Sequence, residues 1–124
     1  MPPKISAAEW EVMNVAWDHN PISAVEAFAA LPKGHGWAQK TVNTFLTRLV
    51  EKGVLAVTRE GKANSYTPLF RREECVAAEG ESFLSRVFQG AAGPLVLHFA
   101  GRAELTPEEI RELEQLLKAK KGRR

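Results

Sequence analysis

The sequence predicts a mainly α protein, with three helices closed by a β-hairpin and then a helical arm. Three observations carry that prediction. Two Ser-x-x-Glu capping boxes, Ser6 with Glu9 and Ser23 with Glu26, open two helices near the N-terminus. A third helix, WAQKTVNTFLTRLVEKG (37–53), leads into alternating apolar and polar residues around a glycine turn. From Arg72 onward apolar residues recur at helical spacing.

Each element follows from local chemistry. In the first helix Trp10, Met13 and Trp17 fall at i, i+3 and i+7, a buried stripe, and Asn20-Pro21 ends it. The second carries Val25, Phe28, Ala29 and Leu31, stops at Pro32, and gives way to PKGHG (32–36), a turn. The third closes at Gly53 after Lys52, a left-handed cap. Leu55 and Val57 then alternate with Ala56 and Thr58, and Tyr66 lies on the return segment. Between them REGKAN (59–64) is a polar, basic turn in which Gly61 can take positive φ. In the arm Val76, Phe83, Leu84, Val87 and Phe88 recur up to Gly90, and the short apolar segment PLVLHFA follows. Thr106, Pro107 and Glu109 combine a capping box with proline at the first helical position. Ile110, Leu113, Leu116 and Leu117 form the last stripe, and KAKKGRR is expected to fray. The expected domains are 1–71, a helical arm over 72–120, and a basic tail over 121–124.

Composition bounds the function. The 124 residues, 44% hydrophobic and 26% charged, suit one soluble domain or two small subdomains. No apolar run approaches the roughly 20 residues that span a bilayer, so no membrane insertion is expected. With no basic-then-apolar leader, the cytoplasm is the expected compartment. Cys75 is the only cysteine, which excludes an intrachain disulfide and a CxxC metal site. The net charge of +2 is unevenly placed. Lys33, Lys40, Arg48, Lys52, Arg59, Lys62, Arg71 and Arg72 stand against only Glu51 and Glu60 in that span. Such a surface suits phosphates, although charge alone fits a solvated face equally well.

The third helix, taken with the hairpin that follows it, favours the phosphate reading over the solvated one. At about 100° per residue, Val42, Phe45, Leu46 and Leu49 gather on one side and Lys40, Thr41, Asn43, Thr44, Thr47 and Arg48 on the other. Threonine and asparagine cost a few tenths of a kcal/mol each in a helix interior, so stability does not select them. An α-helix fits the major groove, where threonine contacts bases and cations contact guanine or phosphate. Two helices, a turn, a polar-faced helix and a basic hairpin are the order of a winged helix-turn-helix. The whole polar side of the helix, with Arg59 and Lys62 from the wing, is therefore the predicted surface for double-stranded DNA.

The arm argues for self-association. Some 50 residues in amphipathic helices cannot bury much surface alone. The apolar set Val76, Phe83, Leu84, Val87, Phe88, Leu95, Val96, Phe99, Ile110, Leu113 and Leu117 needs a partner, unless it packs back onto the winged helix of its own chain. A second copy supplies one, and its two-fold symmetry matches a palindromic operator.

ISAAEWEVMNVAW, WAQKTVNTFLTRLVEKG, YTPLF, FLSRVFQG, LVLHF and LTPEEIRELEQLL, in order from residue 5 to 117, resemble successive blocks of the penicillinase repressor family (BlaI/MecI type). The resemblance implies a homodimeric repressor with N-terminal winged helices, a helical dimerisation arm and inverted-repeat operators with TACA/TGTA-like half-sites. It also implies Lys40, Thr41, Thr44 and Arg48, with Thr47 beside them, as the recognition residues, and Arg59, Gly61, Lys62 and Tyr66 as the wing. In the best-known members a membrane sensor protease cleaves the repressor between asparagine and phenylalanine. Here that pair is His98-Phe99, the candidate cleavage bond. A second departure is Ala38, where many relatives have a capping serine or threonine after the tryptophan.

Other classes fit less well. An enzyme needs a nucleophile with a base or paired acids, and Ser65 and Ser82 have no histidine pattern near them. A metal-responsive repressor of the same architecture would use a C-terminal cysteine cluster, whereas His19, His35, His98 and Cys75 are scattered, so no cofactor is expected. A protein-binding winged-helix module is the remaining alternative, and its partner affinity would show little salt slope.

Overall fold

The computed structural model describes residues 1–32 and 35–122, apart from the side chain of Glu60. Lys33 and Gly34 of the expected turn, and Arg123 and Arg124 of the expected tail, lie outside the described residues. The elements are α1 (Ala7–Asp18), β1 (Ile22–Ser23), α2 (Ala24–Ala30), α3 (Gln39–Glu51), β2 (Leu55–Glu60), β3 (Ala63–Pro68), α4 (Arg72–Phe88), α5 (Ala92–Arg102) and α6 (Pro107–Lys121). They form two compact units, 1–81 and 82–124.

In the first unit both N-terminal capping boxes form. Ser6 Oγ accepts from the Glu9 amide while Glu9 accepts from the Ser6 amide, and Ser23 and Glu26 repeat the pattern. From α1, Val12, Met13 and Ala16 enter the core, where they meet Val42, Leu46 and Leu49 of α3, Leu55, Tyr66 and Cys75. The expected stripe of Trp10, Met13 and Trp17 is thus centred on Met13. The two indoles sit at the margin, 5.7 Å apart, and Trp17 donates to the Phe70 carbonyl at 2.9 Å. The indole N–H needs such a partner, which keeps tryptophan at an edge. In α2 the buried side chain is Ala27, while Val25, Phe28 and Ala29 face outward. A helix of two turns packed closely on its neighbours has room for a methyl group there.

The sheet has the order β1-β3-β2, all antiparallel. β1 pairs Ile22 with Tyr66 and Ser23 with Ser65. Its two residues are too few to produce an alternation, so sequence periodicity gives no sign of it. The hairpin ladder runs to Glu60↔Ala63, leaving only Gly61 and Lys62 in the turn. The expected six-residue turn is therefore shorter, with Arg59 and Asn64 paired in the ladder. Gly61 has φ +64°, which the first central position of a tight II′-type hairpin requires. At the end of α3, Gly53 at φ +80° donates to the Val50 carbonyl and Val54 to the Leu49 carbonyl, a Schellman closure. It turns the chain straight into β2.

The change of composition at 72 does not coincide with the limit of the first unit, because the first turns of α4 belong to it. Arg72 donates to the Asn14 carbonyl and to Asp18, its guanidinium lies over Trp17, and Cys75 is buried.

In the second unit the expected boxes and stops recur. Thr106 caps α6 with Glu109 and Pro107 follows it. The segment PLVLHFA lies within α5. The basic end of the chain is helical as far as Lys121, where a frayed tail was expected. Lys118, Lys120 and Lys121 occupy the last turn, where cations complement the helix dipole. No residue of α5 or α6 is buried. Instead Leu95, Val96, Phe99, Ala100, Ala103, Leu105 and Leu113 line an open apolar groove of about 270 Å³.

Candidate nucleic-acid interface

The geometry of α3 is set from both ends. At its start Ala38 provides no side-chain cap, a loss worth about 0.5–2 kcal/mol against serine. Other contacts hold the turn instead. Gln39 Nε2 donates to the Ala24 carbonyl at 2.9 Å, and the Trp37 ring stands between those of His35 (3.9 Å) and Phe45 (5.1 Å). His35 Nε2 in turn lies 3.1 Å from Glu11 of α1. Beyond its last turn, Lys52 Nζ bonds Glu9 and, at 3.0 Å, the Lys4 carbonyl, tying the helix to the start of α1.

Glu9 is buried and serves two partners, the Ser6 amide and Lys52. Burial pushes its carboxyl upward, but the bonds from Lys52 and Ser6 and the Lys52 charge outweigh it and hold it below the ordinary carboxylate range. Cys75 moves the other way. Burial, then the charge of Glu74, push its thiol up, so it stays protonated and inert.

With the apolar side of α3 in the core, Lys40, Asn43, Thr44, Thr47 and Arg48 are exposed, and Thr41 is half-buried at the edge of that face. Thr44 Oγ1 donates to the Lys40 carbonyl at 3.1 Å and Thr47 Oγ1 to the Asn43 carbonyl at 3.0 Å. Each hydroxyl proton is thus engaged on the helix itself, leaving an oxygen lone pair and a methyl group to face a ligand. Arg48 lies 5.9 Å from the Phe45 ring, which restricts a long side chain before it meets anything. In the wing Arg59 and Lys62 are exposed, and Arg59 Nε donates to the Gly61 carbonyl at 3.3 Å.

Among the described residues the basic run read from sequence, Lys33 aside, divides in two. Lys52, Arg71 and Arg72 pair with Glu9, Glu74 and Asp18. Lys40, Arg48, Arg59 and Lys62 form no ion pair among the described residues. Sequence order could not make that division, because both Lys52 and Arg72 find their acids in α1. Gln39 was also missed. Its only sequence sign is the i, i+4 spacing to Asn43, an ordinary helix pairing.

In the arm, Val76, Val87, Val96, Phe99, Ile110 and Leu117 are exposed. Phe83, Leu84, Phe88, Leu95 and Leu113 are half-buried, with the Phe83 and Phe88 rings 6.0 Å apart. The His98-Phe99 pair is inside α5, the two rings edge to face at 5.1 Å. No group of three or more His, Cys, Asp or Glu side chains among the described residues is placed to hold a metal ion. No helix among them is long and apolar enough to cross a membrane.

The geometry agrees with the relatives found. The penicillinase repressor family model matches residues 5–119. The penicillinase repressor of Bacillus licheniformis is 39% identical over 122 residues, 98% of this chain and 95% of that one. The methicillin resistance regulatory protein MecI of Mammaliicoccus sciuri is 32% identical over 117 residues, 94% of this chain and 95% of its own. The solved structure of the Bacillus licheniformis BlaI monomeric form in complex with the blaP half-operator is 40% identical in sequence. It matches 60% of this chain and 90% of that one with a TM-score of 0.52. The winged unit, the helical arm and the block order thus converge, and the chain belongs to the penicillinase repressor family.

Proposed function

We propose that the chain is a sequence-specific transcriptional repressor, not an enzyme, that binds double-stranded inverted-repeat operators as a homodimer. One observation carries the reading. α3 turns outward a face of hydroxyls, an amide and two cations that have no acidic partner among the described residues, while its other face is locked in the core. Lys40, Thr41, Thr44, Thr47 and Arg48 enter the major groove, and Arg59 and Lys62 lie on the flanking backbone. Repression follows from occupancy of the promoter.

The dimer joins through the apolar faces of the arm, from Val76 to Leu117. Tethering two winged units raises the affinity of the second through effective concentration. Anything that opens the arm therefore releases the DNA. A sensor protease acting at His98-Phe99 would do so, and because that bond lies inside α5, the helix must open before it is cut.

Titration of the full chain with duplexes selected from a randomised pool, over a range of salt, tests the reading. Affinity should fall steeply as salt rises. Lys62→Ala should weaken all sequences alike and lower the salt slope by about one. Thr44→Ala should cost about 1–3 kcal/mol on the selected half-site and much less on a mutated one. Duplex affinity without sequence preference, or without a salt slope, overturns the proposal.

A further inference from the structure

Gln39 and Asn43 stand one turn apart on the edge of the outer face of α3. The Gln39 Nε2 group donates to the Ala24 carbonyl of α2 at 2.9 Å and to Asn43 Oδ1 at 3.0 Å. The first bond fixes the glutamine, because a backbone carbonyl only accepts and the NH₂ must face it. With that NH₂ in place its second acceptor has to be the asparagine oxygen. Turning the Asn43 amide over would set two NH₂ groups against each other. One lone pair of Asn43 Oδ1 is therefore engaged, and the side chain is exposed with two Nδ2 donors that have no partner among the described residues. Thr44 and Thr47 direct their own protons to the Lys40 and Asn43 carbonyls. Among the exposed uncharged side chains of α3 that leaves Asn43 as the donor, with Thr41 half-buried at the edge.

We propose that Asn43 is a specificity-determining residue that acts through its Nδ2 donors, with Gln39 as its positioning residue, and that it reads a base edge made of acceptors, guanine first. The inference rests on the reading of α3 as the groove-entering helix. Asparagine commonly pairs with adenine in two bonds, which need both its oxygen and its nitrogen. Here Gln39 already holds that oxygen on one lone pair and sets the orientation of the group, so the wholly free end is the Nδ2 donor. Guanine offers N7 and O6 side by side, and both accept.

The test uses the full chain and a duplex that it selects from a randomised pool, with every single base-pair variant of that duplex measured at one salt concentration. Asn43→Ala should lose about fivefold in affinity on the selected duplex and nothing where one G·C pair has been replaced by A·T. Gln39→Ala frees the amide, so the same position should come to tolerate adenine. In the Asn43→Ala background the Gln39→Ala change should leave base preference unaltered. Thermal unfolding of each variant separates these effects from a folding defect, which would weaken every duplex equally. A uniform loss for Asn43→Ala, as from a phosphate contact, overturns the proposal. So does a preference for adenine in the parent chain, or unchanged discrimination in Gln39→Ala. If the parent selects no duplex, the repressor reading fails and takes this inference with it. If the parent selects a duplex and only the variants disagree, the repressor reading survives.

Discussion

Residues 1–81 remove Met13, Leu46 and Leu49 wholly from solvent, whereas residues 82–124 leave Phe99 52% and Leu117 54% exposed. Apolar burial is worth about 25 cal/mol per Å², so the two units differ in where their stability comes from. The winged unit completes its core within one chain, using three helices, a small sheet and the first turns of α4. The arm forms helices without a closed core, and of α5 and α6 only α6 carries a side-chain cap. Its cohesion, under the proposed dimer, depends on protein concentration.

Three variants probe that contrast, beginning with the largest effect. Leu46→Ala should cost the winged unit about 2–5 kcal/mol, read by urea unfolding, and leave self-association unchanged. A loss of dimer along with it would mean that the units do not divide as described. Phe99→Ala should raise the dimer dissociation constant roughly 30-fold, about 2 kcal/mol, in sedimentation equilibrium, with little change in the unfolding of the winged unit. A parent chain that stays monomeric at high concentration would break the comparison outright. Glu9→Gln should cost about 1–2 kcal/mol near neutrality, and its pH profile sharpens the contrast further. The folded carboxyl titrates below its unfolded value, so its contribution is fully present above the ordinary carboxylate range. It is lost as pH falls through the depressed value. The parent should therefore lose stability on acidification with a slope that Glu9→Gln reduces.

Much of the fold was legible because it is written in local chemistry. Ser6, Ser23 and Thr106 cap as their spacing to glutamate predicts, and Gly53 and Gly61 take the positive φ their turns need. What escaped is non-local. β1 exists only because Tyr66 and Ser65 arrive beside Ile22 and Ser23. The outward turn of Val25 and Phe28 depends on how closely α2 meets its neighbours. The candidate site divides along the same line. The outer face of α3 follows from helical periodicity. The removal of Lys52 and Arg72 from the basic surface, and the role of Gln39, depend on α1 and α2 being brought alongside.

The inward commitment of the Thr44 and Thr47 protons alters the cost of docking. A free hydroxyl must give up a water at its proton when it enters a groove, and a site that fails to replace that bond loses affinity. These two have already made the exchange within their own backbone. What water leaves on contact is largely the layer over two methyl groups. Their contribution to complex formation should accordingly be visible as a negative heat-capacity change more than as released heat.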